Sequence, residues 1–490
     1  MKYSIYTLII VLAFASVLSA QTSPDTLWTR IYGGDFDDVA KSLDNTNDGG
    51  FIITGNTLSF GAGSSDIWLL KVDENGEEEW DVTFGNEFWD EARCVKATSD
   101  NGYIIAGSSI ISAGEDTDWI IIKTDENGEE EWTHIVDTGY WDSANFVIET
   151  DDNGFVIAGQ IADEDSDNIC LMKLDAEGEE EWNRTFGSTE AEDAYNILKT
   201  DDGGFVILGY TASVGEGGMD VRLIKTDSEG LEEWARTYGG EENDVGFSIE
   251  STTDEGYIIG GYTNSFGEGQ NDFWLVKTDS LGEEIWNYTF GTSETEIAYS
   301  VMQTSDEKYV IAGWTSSGNA NSNDSYIVKA DSTGLIWSTT LGDVGNDKLF
   351  DLIQNDEQEF IFAGHLQSFD SNSQDCWLVK YDAEEVGAEN YELEIPSYAL
   401  RNYPNPFNPS TTISFEISNE PSEHLQIEIY NVKGRIIRIL SYDCHPELVE
   451  GSVTWNGMDN TGDSVSSGIY FYKLKSDGKT LDSNKMLLIK

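Results

Sequence analysis

Three features of the sequence predict an all-β fold: a repeat of about fifty residues, four strand-like runs in each repeat, and the absence of proline from the repeats. Tryptophans mark the repeat at Trp28, Trp80, Trp132, Trp182, Trp234, Trp286 and Trp337. No proline occurs between Asp25 and Ile395, as paired strands require. Four strands per unit of this length are typical of a propeller blade, so seven units predict a seven-bladed β-propeller.

The two ends of the repeat array predict how the propeller closes. The strand that contains Trp28 matches the fourth strand of a unit, but the first three strands of that unit do not precede it. The last unit runs through its third strand, Cys376 to Lys380, and lacks the Trp ending. We therefore expect Leu27 to Tyr32 to be the fourth strand of the last blade, because this pairing removes an open edge. The predicted propeller spans residues 21–384, and a linker follows at 385–399.

The chain begins with a pattern typical of a secretory signal. Lys2 precedes an apolar run from Tyr6 to Leu18, and Ser19 and Ala20 come before Gln21. Residues 1–20 are therefore predicted to be a signal peptide. No later stretch approaches the about 18 apolar residues of a membrane-spanning helix, so we expect no integral membrane span.

The net charge of −65 comes almost entirely from the repeats. Residues 21–400 carry 81 acidic and 17 basic side chains, whereas residues 401–490 carry 11 and 9. A field of this sign repels nucleic acid and anionic membranes, and it favours cations or basic partners. The four cysteines are far apart in the sequence, which favours free thiols over a disulfide framework or a zinc site: Cys94, Cys170, Cys376 and Cys444.

An acidic turn motif, Asp-x-x-Gly-x-x-x-Trp, joins the third and fourth strands of the units, and DENGEEEW occurs twice, at Asp73 to Trp80 and Asp125 to Trp132. The Gly permits φ > 0 in the turn, the Trp is predicted to lie between blades, and the glutamates are expected mostly to face solvent. The spacing resembles the tryptophan-docking motif of quinoprotein (PQQ-type) propellers. Quinoprotein dehydrogenases have eight blades and an adjacent-cysteine pair, which this chain lacks, so the resemblance implies the packing but not the cofactor.

In the third strand of every unit, Asp or Asn precedes Lys by five residues. About 17 Å along a strand separates the two, too far for an ion pair between them. We expect each acid or amide to close the loop before its strand and each Lys to face the acidic turn. The pairs are Asp66/Lys71, Asp118/Lys123, Asn168/Lys173, Asp220/Lys225, Asp272/Lys277, Asp324/Lys329 and Asp375/Lys380.

A carboxylate also stands just before the first strand of every unit, and the first strand of a blade is the innermost. Two interpretations remain open. Each carboxylate could cap its own loop by accepting backbone N–H groups, or the seven could form a cation-attracting, ligand-binding ring for which calcium is the candidate ion. No other cofactor is expected. The residues are Asp38, Asp90, Asp142, Glu192, Asp244, Glu296 and Asp347.

The loops on the face of these carboxylates are long and varied, whereas the turns on the opposite face are short and uniform. Variable loops on a rigid scaffold are where binding residues usually lie. Aromatic side chains in these loops could stack on sugar rings or peptide side chains, or could only pack the loops: Phe36, Phe60, Phe88, Trp89, Tyr140, Trp141 and Phe266. Trp89 and Trp141 join the seven carboxylates as candidate ligand-binding residues.

Residues 400–490 differ in composition, and their alternating strands and turns predict a small antiparallel sandwich. They resemble the C-terminal sorting domain of type IX (Por-type) secretion cargo, which is Ig-like. The matching positions include Asn402, Pro404, Asn405, Pro406, Trp455, Asn456, Gly457, Gly468, Tyr470, Lys485 and Lys490. The segment SYDCHPELVEGS departs from the shorter hairpin usual in the family.

This resemblance implies an export route and two partners. The signal peptide would take the chain to the periplasm, and the type IX machinery would take it across the outer membrane. A sortase would then commonly remove the domain, leaving the protein secreted or attached to the cell surface.

Two functions remain open from the sequence. The first is a binding module for a glycan, peptide or surface partner. The second is a carbohydrate-active hydrolase or lyase that uses paired carboxylates. The chain has four histidines, and the sequence shows no nucleophile elbow and no His metal motif. No catalytic residue is therefore predicted, and a binding role is favoured.

Overall fold

The structure is a computed structural model that describes residues 26–112, 116–164, 166–187, 189–317, 322–342, 345–367, 373–382, 398–403, 407–417, 424–431, 435–443, 450–460, 462, 464–476 and 479–489. The predicted signal peptide and linker lie outside these residues. The described part of the chain contains strands and turns without a helix, so none of its residues form a helix long and apolar enough to cross a membrane. The chain divides into two compact units between Val386 and Gly387.

The first unit contains seven four-stranded antiparallel sheets within the described ranges. Six are built from consecutive strands: β2 (Asp38–Asn45), β3 (Phe51–Thr57), β4 (Asp66–Val72), β5 (Glu78–Phe84); β6 (Asp90–Ala97), β7 (Tyr103–Ser109), β8 (Asp118–Thr124), β9 (Glu130–Val136); β10 (Ser143–Glu149), β11 (Phe155–Ala162), β12 (Asp167–Leu174), β13 (Glu180–Phe186); β14 (Glu192–Lys199), β15 (Phe205–Thr211), β16 (Asp220–Thr226), β17 (Glu232–Tyr238); β18 (Asp244–Ser251), β19 (Tyr257–Thr263), β20 (Asp272–Thr278), β21 (Glu284–Phe290); and β22 (Glu296–Gln303), β23 (Tyr309–Thr315), β24 (Asp324–Asp331), β25 (Gly334–Leu341).

The seventh sheet joins the two ends of the unit. It consists of β26 (Lys348–Gln354), β27 (Phe360–Gln367), β28 (Gln374–Tyr381) and, as its fourth strand, β1 (Thr26–Tyr32). β1 pairs antiparallel with β28, with Arg30 opposite Leu378. The seventh and first sheets also contact each other, because Asn45 Nδ2 donates to the carbonyl of Gln354 at 3.0 Å. The predicted pairing of the N-terminal strand with the last unit is confirmed.

The core of this unit lies between neighbouring sheets. The second and third strands of each sheet are apolar along both faces. The third strands β4 and β20, for example, are buried at every position. Fourth strands instead leave about half of their residues exposed, as in β13. Apolar side chains of one sheet pack on those of the next, as Leu171 of the third sheet does in one cluster with Ile207 of the fourth. The repeat therefore stabilises itself sheet against sheet.

The repeated tryptophans lie between sheets, as predicted. Trp80 contacts the turn of the following sheet, where a Cβ built on Gly128 would be 2.7 Å from its ring. Its ring centroid is 5.8 Å from that of Tyr103, also in the following sheet. Gly128 has a φ of 78°, which explains the Gly in the motif. Trp337 is buried, whereas the other six tryptophans remain partly exposed. Each of these six therefore buries only part of its side-chain surface.

The described residues of the second unit form two sheets. One has the order β29 (Tyr398–Tyr403), β30 (Thr411–Ile417), β33 (Glu450–Trp455), and the other has the order β32 (Ile436–Asp443), β31 (His424–Asn431), β34 (Gly468–Ser476), β35 (Lys479–Leu488). Trp455 packs at the centre of its core, with ring centroids 5.0 Å from Tyr470 and 5.6 Å from Phe407. The order of the second sheet also shows that the strand β35 is part of this unit's fold.

Candidate functional site

The first strand of every sheet in the first unit has a β-bulge near its start, and these bulges shape a central cavity. In β2, Ala40 pairs with Gly55 and Ser42 pairs with Thr54, so Lys41 is the extra residue. The same irregularity recurs in the other six first strands. A bulge turns the unpaired residue away from the regular alternation of the strand, and here all seven extra residues point into one cavity.

This central cavity has a volume of about 220 Å³ and is lined by first strands of all seven sheets. The bulge residues around it differ in chemistry from sheet to sheet, in the order Lys41, Arg93, Asn145, Tyr195, Phe247, Tyr299 and Phe350. Three consecutive sheets contribute cationic or amide groups, and the next four contribute aromatic rings. The cavity is therefore asymmetric although the scaffold is repetitive.

The aromatic half of the cavity is continuous. Ring centroids are 4.9 Å apart for Tyr195 and Phe247, 5.1 Å for Phe247 and Tyr299, and 5.0 Å for Tyr299 and Phe350. The rings are tilted against one another by 39–54°, an arrangement that the quadrupoles of aromatic rings favour. This arc offers a ligand a rigid, apolar wall.

In the cationic half of the cavity, charged side chains lie close to one another. Lys41 Nζ is 3.8 Å from Glu91 Oε1 and 4.5 Å from the ring centroid of Phe350. Burial lowers the pKa of Lys41; Glu91 opposes this shift, and the charge of Arg93 adds to it. Burial and the charge of Lys41 in turn lower the pKa of Lys348.

A second pocket begins at Arg93. It has a volume of about 450 Å³ and is lined by Trp89, Trp141, Arg93, Asp142 and Asp193, among others. Trp141 is 67% exposed. Because Arg93 lines both spaces, the central cavity and this tryptophan groove adjoin. The structure thus brings the two sequence-predicted tryptophans together, beside the predicted Asp142.

The seven predicted carboxylates are buried under the loops. Asp244 is typical, because it accepts from Gly240 N at 2.8 Å, from Ser265 Oγ at 2.7 Å and from Thr263 Oγ1. Equivalent bonds hold the others: Asp38, Asp90, Asp142, Glu192, Glu296 and Asp347. The geometry matches the loop-capping interpretation. A direct ligand-binding role for these seven stays an untested prediction.

A second row of acids meets the first at the sheet boundaries. Asp272 Oδ2 accepts from Glu268 N at 3.1 Å and Gly269 N at 3.0 Å, so it closes the loop before its strand, as predicted. Burial raises the pKa of Asp272, and Glu296 of the next sheet adds to the shift. In the part of the chain that the structure describes, no group of three or more His, Cys, Asp or Glu side chains could hold a metal ion. The calcium hypothesis therefore has no preformed side-chain cluster there.

The lysines of the third strands are buried, and several contact a glutamate of the acidic turn motif, as predicted, together with an acid that the sequence did not indicate. Lys225 Nζ lies 3.0 Å from Asp202 in the turn between first and second strands, and 3.1 Å from Glu233 in the fourth strand. In DENGEEEW, Glu79 is 2.8 Å from the buried Lys71, and Glu131 is 3.1 Å from Lys123. The glutamates of both copies are exposed, as expected, and one in each copy also pairs with a buried lysine.

Several loop aromatics pack on their own sheet. The ring centroid of Phe60 is 5.8 Å from that of Trp68, and Phe266 is 5.7 Å from Trp274. For these two residues the loop-packing interpretation applies. The bulge residues were missed by sequence reasoning, although a signal exists: they stand three positions after the recurring carboxylates, where the repeats differ most in chemistry.

The predicted sorting residues lie in the second unit. Trp455 is 1% exposed, and its Nε1 donates to Met458 O at 2.8 Å. Tyr470 OH donates to Ser466 O at 2.8 Å. Gly457 has a φ of 68° and Gly468 of 152°, and Asn456 is exposed. Asn402 and Lys485 lie on strands, whereas Pro404, Asn405, Pro406 and Lys490 lie outside the described residues.

Comparison with known proteins identifies the second unit. Residues 401–490 match the family model described as secretion system C-terminal sorting domain, Por_Secre_tail. This match indicates export by type IX secretion to the cell surface or the extracellular space. The repeated four-stranded antiparallel sheets of the first unit fit a propeller. The solved structures that are similar to the chain share only a low sequence identity with it.

Three solved structures illustrate that similarity. A fungal alcohol oxidase of the AA5 family, in complex with copper, is 9% identical, with 95% of this chain and 100% of that chain covered and a TM-score of 0.46. The polysaccharide lyase Uly1 is 11% identical, with coverage of 75% and 96% and a TM-score of 0.44. A glucose dehydrogenase is 8% identical, with coverage of 73% and 100% and a TM-score of 0.38. No curated protein matches the chain.

Proposed function

We propose that this protein is an exported binding module. In this proposal a closed seven-bladed β-propeller, residues 21–384, binds a glycan, peptide or surface partner, and an Ig-like sandwich at 400–490 directs export. The observation that carries the proposal is the ring of seven bulge residues, which gives a repetitive scaffold one non-repetitive cavity. Convergent polar groups beside an apolar wall are typical of ligand sites.

The tryptophan groove extends the proposed site. Trp141 is a large, exposed apolar side chain beside the cavity, and exposed aromatic surface of this kind is typical of binding sites. Binding at the cavity alone would suit a single sugar or side chain. Use of the cavity and the groove together suits an oligomer.

The proposed location follows from both ends of the chain. A signal peptide at 1–20 would bring the protein to the periplasm, and the sorting domain would bring it to the type IX machinery and its sortase. The mature propeller would then be secreted or held at the outer-membrane surface.

An enzymatic alternative is favoured by one observation. Asp193 lines the tryptophan groove, and burial raises its pKa to about 7, a value suited to a general acid. Asn145 Nδ2 donates to Asp193 Oδ1 at 2.8 Å, however, which engages this carboxylate within the scaffold. A carbohydrate-active hydrolase or lyase is therefore the second candidate.

A binding screen of the purified propeller tests the main proposal. A glycan array and a peptide array would be probed with the wild type, with Phe247→Ala and Trp141→Ala in the proposed site, and with Leu231→Ala as a matched control in an exposed turn. We expect one ligand class to bind the wild type and the control and to lose at least tenfold in affinity with both site variants. Degradation of a bound polysaccharide by the wild type but not by Asp193→Asn would favour the enzyme instead.

A further inference from the structure

The central cavity places two cations side by side in a strongly acidic protein. The chain has 92 acidic and 27 basic side chains, yet Lys41 and Arg93 occupy adjacent positions in the bulge ring, and Lys348 lies beside Lys41. Two carboxylates, Glu91 and Asp351, also line the cavity, but two backbone N–H groups donate to Asp351, at 3.0 and 2.9 Å, and engage it within the scaffold. The lining therefore lacks the excess of acid that the rest of the domain carries.

These cations are incompletely neutralised. Glu91 is the acid nearest to Lys41, at 3.8 Å, a separation that is long for an ion pair with a hydrogen bond. Asp193 faces Arg93; burial raises the pKa of this carboxyl to about 7, and the charge of Arg93 opposes the shift. The Nε of Arg93 is buried and donates to no acceptor among the described residues. A buried donor without an acceptor is costly, so the described scaffold does not provide this guanidinium with all of its acceptors.

The apolar arc restricts what kind of anion fits. Tyr195, Phe247 and Tyr299 line the cavity away from the sheet of Lys41, whereas Phe350 lies beside Lys41. The ligand therefore needs an apolar face as well as its charge. A sugar ring that bears a carboxylate has both features. A free inorganic anion would leave the aromatic arc without a contact.

The charge of the whole domain restricts the ligand further. Residues 21–400 carry a net charge of −64, and a field of this sign repels a polyanion before it reaches the cavity. A glycan that is neutral except for one acidic sugar would be repelled far less. Its neutral part could continue past Arg93 onto Trp141 in the tryptophan groove.

We propose that the central cavity binds a single terminal acidic sugar, such as a uronic acid, at the end of an otherwise neutral glycan. The carboxylate contacts Arg93 and Lys41, the sugar ring packs on the aromatic arc, and the next sugar lies in the tryptophan groove. This inference rests on the proposed binding function and gives it a ligand class.

Calorimetric titration with a matched pair of ligands tests the inference without altering the protein. The probes are xylotriose carrying one terminal glucuronic acid and the same tetrasaccharide with its carboxylate reduced to a primary alcohol. We expect the acidic probe to bind at least tenfold more tightly, with a difference that shrinks as salt rises. Arg93→Gln and Lys41→Gln should each reduce this preference. Arg184→Gln, which removes a half-buried Arg stacked on Trp182 away from the cavity, should not.

The other possible outcomes separate a failure of the acidic-sugar inference from a failure of the proposed binding function. Equal binding of the two probes, with loss on Trp141→Ala, would overturn the acidic-sugar inference and leave the binding module standing. Binding of acidic peptides but of neither probe would have the same consequence. Failure of every glycan and peptide to bind would overturn both. Thermal melting of each variant would show that a loss of affinity does not come from unfolding.

Discussion

At the scale of single residues, buried lysines join the strands of one sheet through charge. Lys225 is buried and lies 3.0 Å from Asp202 and 3.1 Å from Glu233. Hydrogen bonds from Thr200 and then Lys225 lower the pKa of Asp202 to about 2. This lowered pKa contributes stability that is present above the unfolded-state pKa of about 3.9 and is lost as pH falls towards 2. Lysine and its two acids thus act as one structural unit.

Asp118 is the opposite case, a carboxylate that the fold destabilises. It is 2% exposed and its Oδ1 has no hydrogen-bond partner among the described residues. Burial raises its pKa to about 7, and the charges of Asp137, Asp116 and Asp142 add to the shift. In the other sheets a Gly occupies the position of Asp137. The sequence also shows a tolerated neutral form, because Asn168 stands at the equivalent position of the next unit.

Asp118→Asn is expected to stabilise the protein in a pH-dependent way. A folded pKa above the unfolded one means that stability falls as pH rises from about 4 to about 7, since ionisation is then costly only in the folded state. The variant avoids this cost, so its gain in free energy of unfolding should grow over that range to about 1–3 kcal/mol at pH 8. Urea unfolding at pH 5 and pH 8 measures it.

The control for this experiment is Asp201→Asn, which removes the same charge from an exposed turn. Its effect should be small at both pH values, because exposed charges interact weakly through solvent. A gain for Asp118→Asn that is identical at pH 5 and pH 8 would contradict the assigned cause.

At the scale of elements, the bulge depends on a glycine in the partner strand. In every second strand a Gly pairs with the residue just before the bulge, as Gly209 does with Ala194. A Cβ at Gly209 would lie 1.8 Å from Asp193 O, and one at Gly55 would lie 1.9 Å from Val39 O. The backbones approach too closely for any side chain, which accounts for a Gly at this position in all seven sheets.

Gly209→Ala is expected to disturb both the sheet and the cavity. Relief of the clash requires the two strands to separate or the bulge to shift, at a cost of about 1–3 kcal/mol by analogy with overpacked cores. Tyr195 would then leave the aromatic arc. Thermal melting should show the loss, and binding by the cavity should weaken beyond what the melting change explains.

Ser228→Ala, in an exposed turn of the same sheet, is the matched control and should leave melting and binding unchanged. Normal melting together with normal binding in Gly209→Ala would show that the bulge tolerates a side chain, contrary to the geometry.

Periodicity explains how much of these elements could be predicted. The turn Gly and Trp recur in sequence, so the hairpin and the docking of Trp80 followed from spacing alone. The bulge residue does not recur in type, and its exposure to the cavity depends on one irregular pairing. One partner of Lys71 also escaped prediction, because Asp48 lies 23 residues away and meets it only once the sheet has formed.

At the scale of the whole molecule, the second unit carries the export signal, and the first unit is the one for which we propose binding. Seven equivalent sheets supply a stable scaffold, and one residue per sheet is free to vary towards the cavity. The division into a repeat array and a sorting domain could be predicted from the sequence, because repeats and a family resemblance are properties of long segments. The position of the site required the structure, since residues from all seven repeats meet there.

The export assignment makes a prediction about the last strand. β35 ends against the other sheet of its unit, where Leu488 forms a bridge with Phe407 and Ile489 N donates to Phe407 O at 2.9 Å. Met486 and Leu488 are 1% and 0% exposed. Removal of residues 485–490 therefore takes two core side chains and part of a strand from the sorting domain, which should unfold it and leave the chain in the periplasm.

Ile489→Ser alters an exposed side chain on the same segment and should be exported normally. Fractionation of expressing cells would measure both, and wild-type export of the truncated chain would mean that the folded domain is not what the secretion machinery recognises.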